Sequence, residues 1–421
     1  MRKLSFMKFS GRIIVVLVVV LSILILFSSF VGAKEKIVHW QHHSPARLVM
    51  VEWFAREFEK KYDVEIKIES IPLGDYYTKL LPALAAGAGP DVFQLRCTDV
   101  PTYIKHGVIG SLDEKIVPYD KVKEEYIPGT IKYLFSDGKC YGLPTDVQTI
   151  VLFYNTKIFE EENLTRPPET WEELIDYALK IHKRDSTGMT TRMGLAHGSY
   201  GPAIWSFIAQ SGTKFMEDGK AVFNNEKTFE AFKFTTDWIV KYGVEDLDFG
   251  SRWTAFRQEE LGMVVAHPAM LGSFRSTHPD LPVGIAELPA REKGEPKTNV
   301  VTNWAYVRSK GEENKEIATK WIAFLTSEEA QRKWTRETGE LPARKSLLSD
   351  KELLKNEPLL EAPLNSLREA VPYPFLAWGQ MDEAVRKAVQ KVTIEGQDPK
   401  TAFNWLVNEA EKIYQDVIAK D

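Results

Sequence analysis

The sequence predicts a mainly parallel α/β fold built as two or three domains. Residues 36–95 alternate strand and helix patterns in the order β-α-β-α-β, and the middle of the chain repeats that alternation without repeating the sequence. The length of 421 residues, 44% of them hydrophobic, gives each of two or three domains enough apolar surface for its own core.

Each element has a local reason. Lys36 to Gln41 is a short mixed apolar strand, and Ser44-Pro45 then supplies an N-cap and a first-turn proline. Leu48, Val51, Phe54, Ala55 and Phe58 recur at helical spacing, while Val64, Ile66 and Ile68 alternate as a strand. A second helix starts near Asp75 and stops at Gly87 to Gly89, and Pro90 to Leu95 reads as a third strand. Thr149 to Tyr154 is a strand, and Thr170-Trp171-Glu172-Glu173 is a capping box that opens a helix. A helix over Glu226 to Tyr242 ends at Gly243. Strands follow at Gly262 to Ala266, Val283 to Leu288 and Trp304 to Val307. Helices close the chain at Lys315 to Thr338, Met381 to Glu395 and Pro399 to Ile418. With no Pro/Gly-rich linker, the lobes are expected to be joined by strands that cross between them.

Residues 1–12 carry Arg2, Lys3, Lys8 and Arg12 without an acidic residue, an apolar run follows from Ile13 to Phe30, and Val31-Gly32-Ala33 fits cleavage. That layout predicts a signal peptide over residues 1–33, or an uncleaved N-terminal anchor, and therefore an exported protein in the periplasm or on the outer face of the cytoplasmic membrane. Removing residues 1–33 changes the formal charge from −5 to −9, which excludes a phosphate-seeking nucleic-acid binder. Cys97 and Cys140 are the only thiols. An oxidising compartment permits one disulfide between them, and buried free thiols are the equal alternative.

Catalytic patterns are weak. His39, His42 and His43 fall within five residues, but alternation on a strand separates them, and no acidic or cysteine cluster completes a metal shell. There is no Gly-x-Ser-x-Gly elbow and no phosphate-cradling glycine loop. Neither a metal nor a cofactor is expected, and no residue is assigned a catalytic role. His42, His43 and Ser44 stand where strand one ends, the position at which α/β sheets bind ligands. Trp53, Trp171, Trp238, Trp321, Trp334 and Trp405 fall in helices and read as core. Trp40, Trp205, Trp253, Trp304 and Trp378 fall at strand ends or in irregular segments, where a ring faces a ligand. Such rings, with Arg96, Asp146, Gln148, His267 and Arg344, suit a sugar, whose apolar faces stack and whose hydroxyls want planar polar partners.

Taken in sequence, these segments resemble the family 1 extracellular solute-binding proteins, the carbohydrate receptors of ABC importers. The resemblance rests on Trp40 closing strand one, Phe58-Glu59-Lys60-Lys61-Tyr62, Leu84-Ala85-Ala86-Gly87 before Gly89-Pro90-Asp91-Val92-Phe93, and Gly107 to Asp113. It continues through Asp137 to Pro144, Leu152-Phe153-Tyr154-Asn155, Pro168 to Leu174, Ala318 to Leu325, and Gly339 to Arg344.

The resemblance implies a two-lobed periplasmic-binding-protein-like fold, α/β with mainly parallel sheets flanked by helices and a three-segment hinge. Lobe 1 is expected over residues 34–146 and 301–343, and lobe 2 over residues 147–300 and 344–421. Crossings are expected near Asp146 to Ile150, Val300 to Asn303 and Gly339 to Lys345. It implies a carbohydrate in the cleft, ABC permease transmembrane subunits as partners, a monomer, and no enzymatic activity. The site it implies comprises His42, His43, Ser44, Arg96, Asp99, Asp146 or Gln148, Trp205, Trp304 and Arg344, to which the reading of the residues adds Trp40, His267 and Trp378. Where the family shows Gly-x-Trp after Ala266, this chain has His267 to Phe274, so the stacking ring there is Phe274 or is missing. Two rival functions follow: a receptor of the same fold for a glycerol phosphodiester or polyamine, and an exported carbohydrate-active enzyme.

Overall fold

A computed structural model of the protein describes residues 35–217, 220–311, 313–373 and 376–419. The leader expected over residues 1–33 lies outside them. Among the described residues no helix is long and apolar enough to cross a membrane.

The described residues begin with β1 (Glu35–His42), α1 (Pro45–Lys61), β2 (Val64–Ile71), α2 (Leu73–Ala85) and β3 (Val92–Arg96). Pro45 occupies the first turn of α1, where a missing N–H leaves no helical bond unmade. β1 lies parallel between β2 and β3, so the chain leaves both β1 and β3 at the same sheet edge, at His42 and Arg96. Asp91 fixes the start of β3: its carboxylate accepts from Val38 N at 2.8 Å and from Asn314 Nδ2 at 2.9 Å. β4 (Ile109–Gly110) and β5 (Gly142–Gln148) follow. Val147 packs into the first lobe's core and Ile150 into the second's, which places the first crossing between them.

The second lobe runs β6 (Val151–Asn155), α3 (Trp171–Ile181), β7 (Lys183–Arg184), β8 (Thr190–Ala196), α4 (Gly201–Ala209), α5 (Glu226–Val240), β9 (Leu261–Ala266), α6 (Met270–Thr277) and β10 (Val283–Glu287). Thr170 caps α3 by accepting from Glu173 N at 3.2 Å. Gly194 lets α3 lie close on β8, because a Cβ there would meet Ala178 O at 2.0 Å. The strand order is β10-β6-β9-β8-β7, with β8 parallel to β9 and β6 antiparallel to both its neighbours. Apolar residues cover both faces of this sheet.

β11 (Val300–Ser309) returns to the first lobe, with Val300 in the second core and Val301 in the first. It runs antiparallel to β3 and β5 and sets Trp304 beside Arg96. The helix expected over Lys315 to Thr338 is two helices, α7 (Lys315–Leu325) and α8 (Glu328–Thr338). Ser327 breaks it by capping α8, its hydroxyl accepting from Ala330 N at 3.2 Å.

After the expected third crossing at Gly339 to Lys345 the chain is held by both lobes. There Gly339 ends α8 in the left-handed conformation, Leu341 bridges to Val147, and Leu341 and Ala343 are buried in the first core. Leu348, Leu353, Leu360, Leu364 and Leu367 join the same core, while residues 358–366 also pack on β10, Leu359 packs on the second lobe, and Glu357 pairs with Arg275 at 2.7 Å, so this stretch touches both lobes. β12 (Val371–Pro372) pairs with β11, and Tyr373 beyond it is buried in the second core. α9 (Trp378–Thr393) and α10 (Pro399–Ala419) then complete the second core. The architecture is a two-lobed α/β fold.

Candidate functional site

The carboxyl ends of β1 and β3 in one lobe face those of β8 and β9 in the other across a cavity of about 290 Å³. Ligands in α/β sheets sit at this end of the strands. His42, Arg96, Gln148, Asn303 and Trp304 line it from lobe 1 and the first two crossings, and Tyr200, His267, Tyr373 and Trp378 from lobe 2.

Trp304 stacks on His42 with ring centroids 4.1 Å apart, which turns two side chains into one flat wall. The guanidinium of Arg96 lies 5.1 Å from the Trp304 ring, 5.5 Å from Tyr77 and 4.5 Å from Trp378. Trp378 belongs to the other lobe, so this cation joins aromatic rings across the cleft. Gln148 Oε1, His267 Nδ1 and Trp378 Nε1 are buried without a hydrogen-bond partner. Groups of that kind are uncommon and call for an explanation at a site.

Beneath the cavity Arg47 is held between two carboxylates. Its Nε donates to Glu340 Oε1 at 2.8 Å, and its Nη2 lies 2.5 Å from Asp146 Oδ2. Trp334 Nε1 donates to the other Glu340 oxygen at 2.6 Å. Burial opposes the Arg47 charge, but Asp146 and Glu340 outweigh it and hold its pKa above the usual value. Burial raises the Asp146 pKa, with Arg47 pulling it down and Glu340 pushing it up. Burial, and then the Arg47 charge, lower the pKa of His42 to about 2. Burial also lowers that of His267 to about 4, aided by Arg252 and Arg47. Both rings are therefore neutral hydrogen-bonding groups at physiological pH.

A larger cavity, about 720 Å³, lies at the opposite end of the first sheet beside Gly89, Asp91 and Arg308. Asp91 is engaged with Val38 and Asn314, and Arg308 donates to Ser111 O and Gly311 O, so its principal charges are already used in the fold. The inter-lobe cavity is the better candidate because polar atoms facing it remain unpaired.

Comparison with known proteins agrees with this geometry. The pattern that defines the bacterial extracellular solute-binding proteins matches residues 47–332. The chain belongs to this family. It is 26% identical to the galactooligosaccharide-binding protein of Bacillus subtilis over 82% of each chain. It is also 26% identical to the maltotriose-binding protein of Pyrococcus abyssi, over 92% of this chain and 82% of that one. Its fold superposes on an ABC transporter solute-binding protein from Thermotoga lettingae, bound with α-D-tagatose, with a TM-score of 0.76 and 25% identity, covering 90% of this chain and 100% of the other.

Of the residues expected at the site of this solute-binding protein, His42, Arg96, Gln148, His267, Trp304 and Trp378 line the cavity. Asp99 stands beside Arg96 and Tyr77, where burial raises its pKa against the pull of Arg96, and Asp146 lies beneath the cavity against Arg47. The others are elsewhere. Trp40 packs on the first core, and His43 is exposed, its Nδ1 2.9 Å from Ser70 Oγ. Ser44 caps α1 through its backbone position alone. Trp205 is fully buried against Phe215 and Phe223, because every residue of α4 is buried and the helix has no cleft-facing side. Phe274 is core, against Phe153 and Phe256, so the family's ring after β9 has no counterpart there. Arg344 pairs with Glu125 at 2.6 Å and lies over Tyr126, which ties lobe 1 together.

Neighbouring histidines also part company. His39 turns into the first core, where Trp321 Nε1 donates to its Nδ1 at 3.0 Å. Among the described residues no group of three His, Cys, Asp or Glu side chains is placed to hold a metal ion. Cys97 and Cys140 are buried free thiols: Asn303 Nδ2 donates to Cys97 Sγ at 2.8 Å, and Cys140 Sγ donates to Gly142 O at 3.2 Å.

Sequence reasoning missed Arg47, Glu340, Tyr200, Tyr133 and Tyr373. Tyr200 had a local signal, since Gly198 and Ser199 both adopt positive φ just after β8 and turn the chain toward the cleft. Arg47 and Glu340 had none, being 293 residues apart.

Proposed function

We propose that this protein is the exported receptor of an ABC importer, that it binds a neutral sugar between its lobes, and that it presents the closed form to the membrane permease. The observation that carries the reading is the cavity wall. Flat aromatic faces at Trp304, Trp378 and Tyr200 alternate with the planar polar groups of Arg96, Gln148 and Asn303, drawn from both lobes. Sugars offer apolar C–H faces to such rings and hydroxyls to such groups. The oligosaccharide-binding names of relatives that match most of the chain, and the tagatose named with the Thermotoga lettingae protein, support the same class.

Charge argues against the rivals. A glycerol phosphodiester wants a cluster of unpaired cations, yet Arg47 is neutralised by Asp146 and Glu340, Arg344 pairs with Glu125 in lobe 1, and only Arg96 lines the cavity outside an ion pair among the described residues. A polyamine wants free carboxylates, and those two are committed to Arg47. The relatives' names describe binding proteins, which favours capture over turnover. Three crossings between the lobes give a hinge, and a ligand that touches both lobes shifts its equilibrium towards closure. The family and the charged, apolar leader of the sequence support an exported receptor.

A thermal-shift screen against mono- and oligosaccharides, with a glycerol phosphodiester and spermidine as controls, tests this. A sugar at 100 times its dissociation constant adds about 2.7 kcal/mol of stability. A shift with a charged control and none with any sugar overturns the reading.

A further inference from the structure

We infer that Arg96 ends the binding site, so that this receptor takes a sugar of one or two rings and excludes longer chains. The inference rests on the sugar-binding reading of the same cleft and adds a limit on length and the residue that sets it.

In a cleft built for a chain of sugars, ring faces must be free to stack on successive units. Here the length of free ring face is cut short. The Arg96 guanidinium occupies the space over Trp304 at 5.1 Å and Trp378 at 4.5 Å, with Tyr77 at 5.5 Å, so one cation covers three rings from two lobes. A second contact bridges the lobes beside the cavity, Tyr133 OH donating to Tyr373 O at 2.9 Å. What remains is about 290 Å³, at the lower end of the roughly 300–1,000 Å³ typical of ligand pockets.

Stacking uses the faces of a guanidinium and leaves its edge. The five N–H donors of Arg96 lie in the plane of the group, and among the described residues none is held in an ion pair. That edge is therefore free to donate to the hydroxyls of a terminal ring. Gln148 Oε1, His267 Nδ1 and Trp378 Nε1, with His42 Nδ1 and Thr98 Oγ1, supply further unpaired groups for its hydroxyls. Arg96 is thus both the end wall and a reader of the terminal sugar.

The test is calorimetric titration of the wild-type protein, Arg96→Ala and Arg96→Lys with mono-, di-, tri- and tetrasaccharides of glucose, galactose and arabinose. Circular dichroism confirms that each variant is folded. The wild type is expected to bind a mono- or disaccharide and to bind the tetrasaccharide of the same sugar at least about tenfold more weakly. Arg96→Ala should lose affinity for the short ligand and gain it for the long one. Arg96→Lys, which keeps the charge but not the flat group, should shift the same way by less. Tightest wild-type binding to a tetrasaccharide, or an unchanged length preference in Arg96→Ala, overturns the length limit while the sugar reading stands. Silence with every sugar overturns the sugar reading and the length limit with it.

Discussion

Arg47 Nη2 lies 2.5 Å from Asp146 Oδ2, and both side chains are almost wholly withdrawn from water. With Glu340 this links α1, the first crossing and the turn after α8 directly under the cleft. A buried ion cluster is costly to break because the charges left behind have no solvent. Arg47→Met is expected to lower the unfolding free energy by about 3–5 kcal/mol, since two carboxylates are stranded. The triple variant Arg47→Met, Asp146→Asn, Glu340→Gln should recover most of that loss in urea denaturation. A triple variant no more stable than the single one contradicts the cluster's role.

Tryptophans divide by what they touch. Trp205→Ala should cost about 3–5 kcal/mol of stability, because the ring is fully buried among Phe215 and Phe223. Trp304→Ala removes a half-buried ring from the cleft wall and should abolish ligand response with a smaller loss of stability. Melting temperatures with and without sugar separate the two effects.

Protons provide a further check. Burial lowers the His39 pKa to about 4 from 6.5, with the Gln41 contact opposing. Between those values the unfolded chain binds the proton and the folded one does not, so this contribution is complete above about pH 6.5 and is lost as pH falls towards 4. Asp146, raised by burial, acts in the opposite sense, so the diagnostic quantity is the change in slope. His39→Gln should remove up to about 1.4 kcal/mol per pH unit from the slope of stability against pH in that window. An unaltered slope contradicts a neutral His39.

Both thiols are buried and held as donors or acceptors inside lobe 1, and burial raises their pKa values. Ellman's reagent should therefore find neither in the native protein and both after denaturation without reductant. Reaction of only the reduced, unfolded chain would reveal a disulfide instead.

Much of the fold was legible because its signals are local. Alternating strands, the Thr170 cap and glycine stops each act over a few residues, and they placed β1 to β3 and α3 within a residue or a few. The break at Ser327 had a local signal, a serine cap followed by Glu328 and Glu329, which the reading of one long helix passed over. The site was legible where a ring or planar group stands at the carboxyl end of a strand, as for His42, Arg96 and His267. It failed where helix packing decides direction: Trp205 and Phe274 stand near the expected places, but α4 and α6 turn them into the core. Arg344 failed for a tertiary reason, since Glu125 and Tyr126 capture it from 218 residues or more away.

Titration calorimetry with the sugar that gives the largest thermal shift, on the wild type and on Trp304→Ala, tests the sugar-in-cleft reading most directly. Saturable binding at one site in the wild type, lost in a folded Trp304→Ala, is the predicted result. Equal binding by both would contradict it, because the sugar would then be held somewhere other than between the lobes.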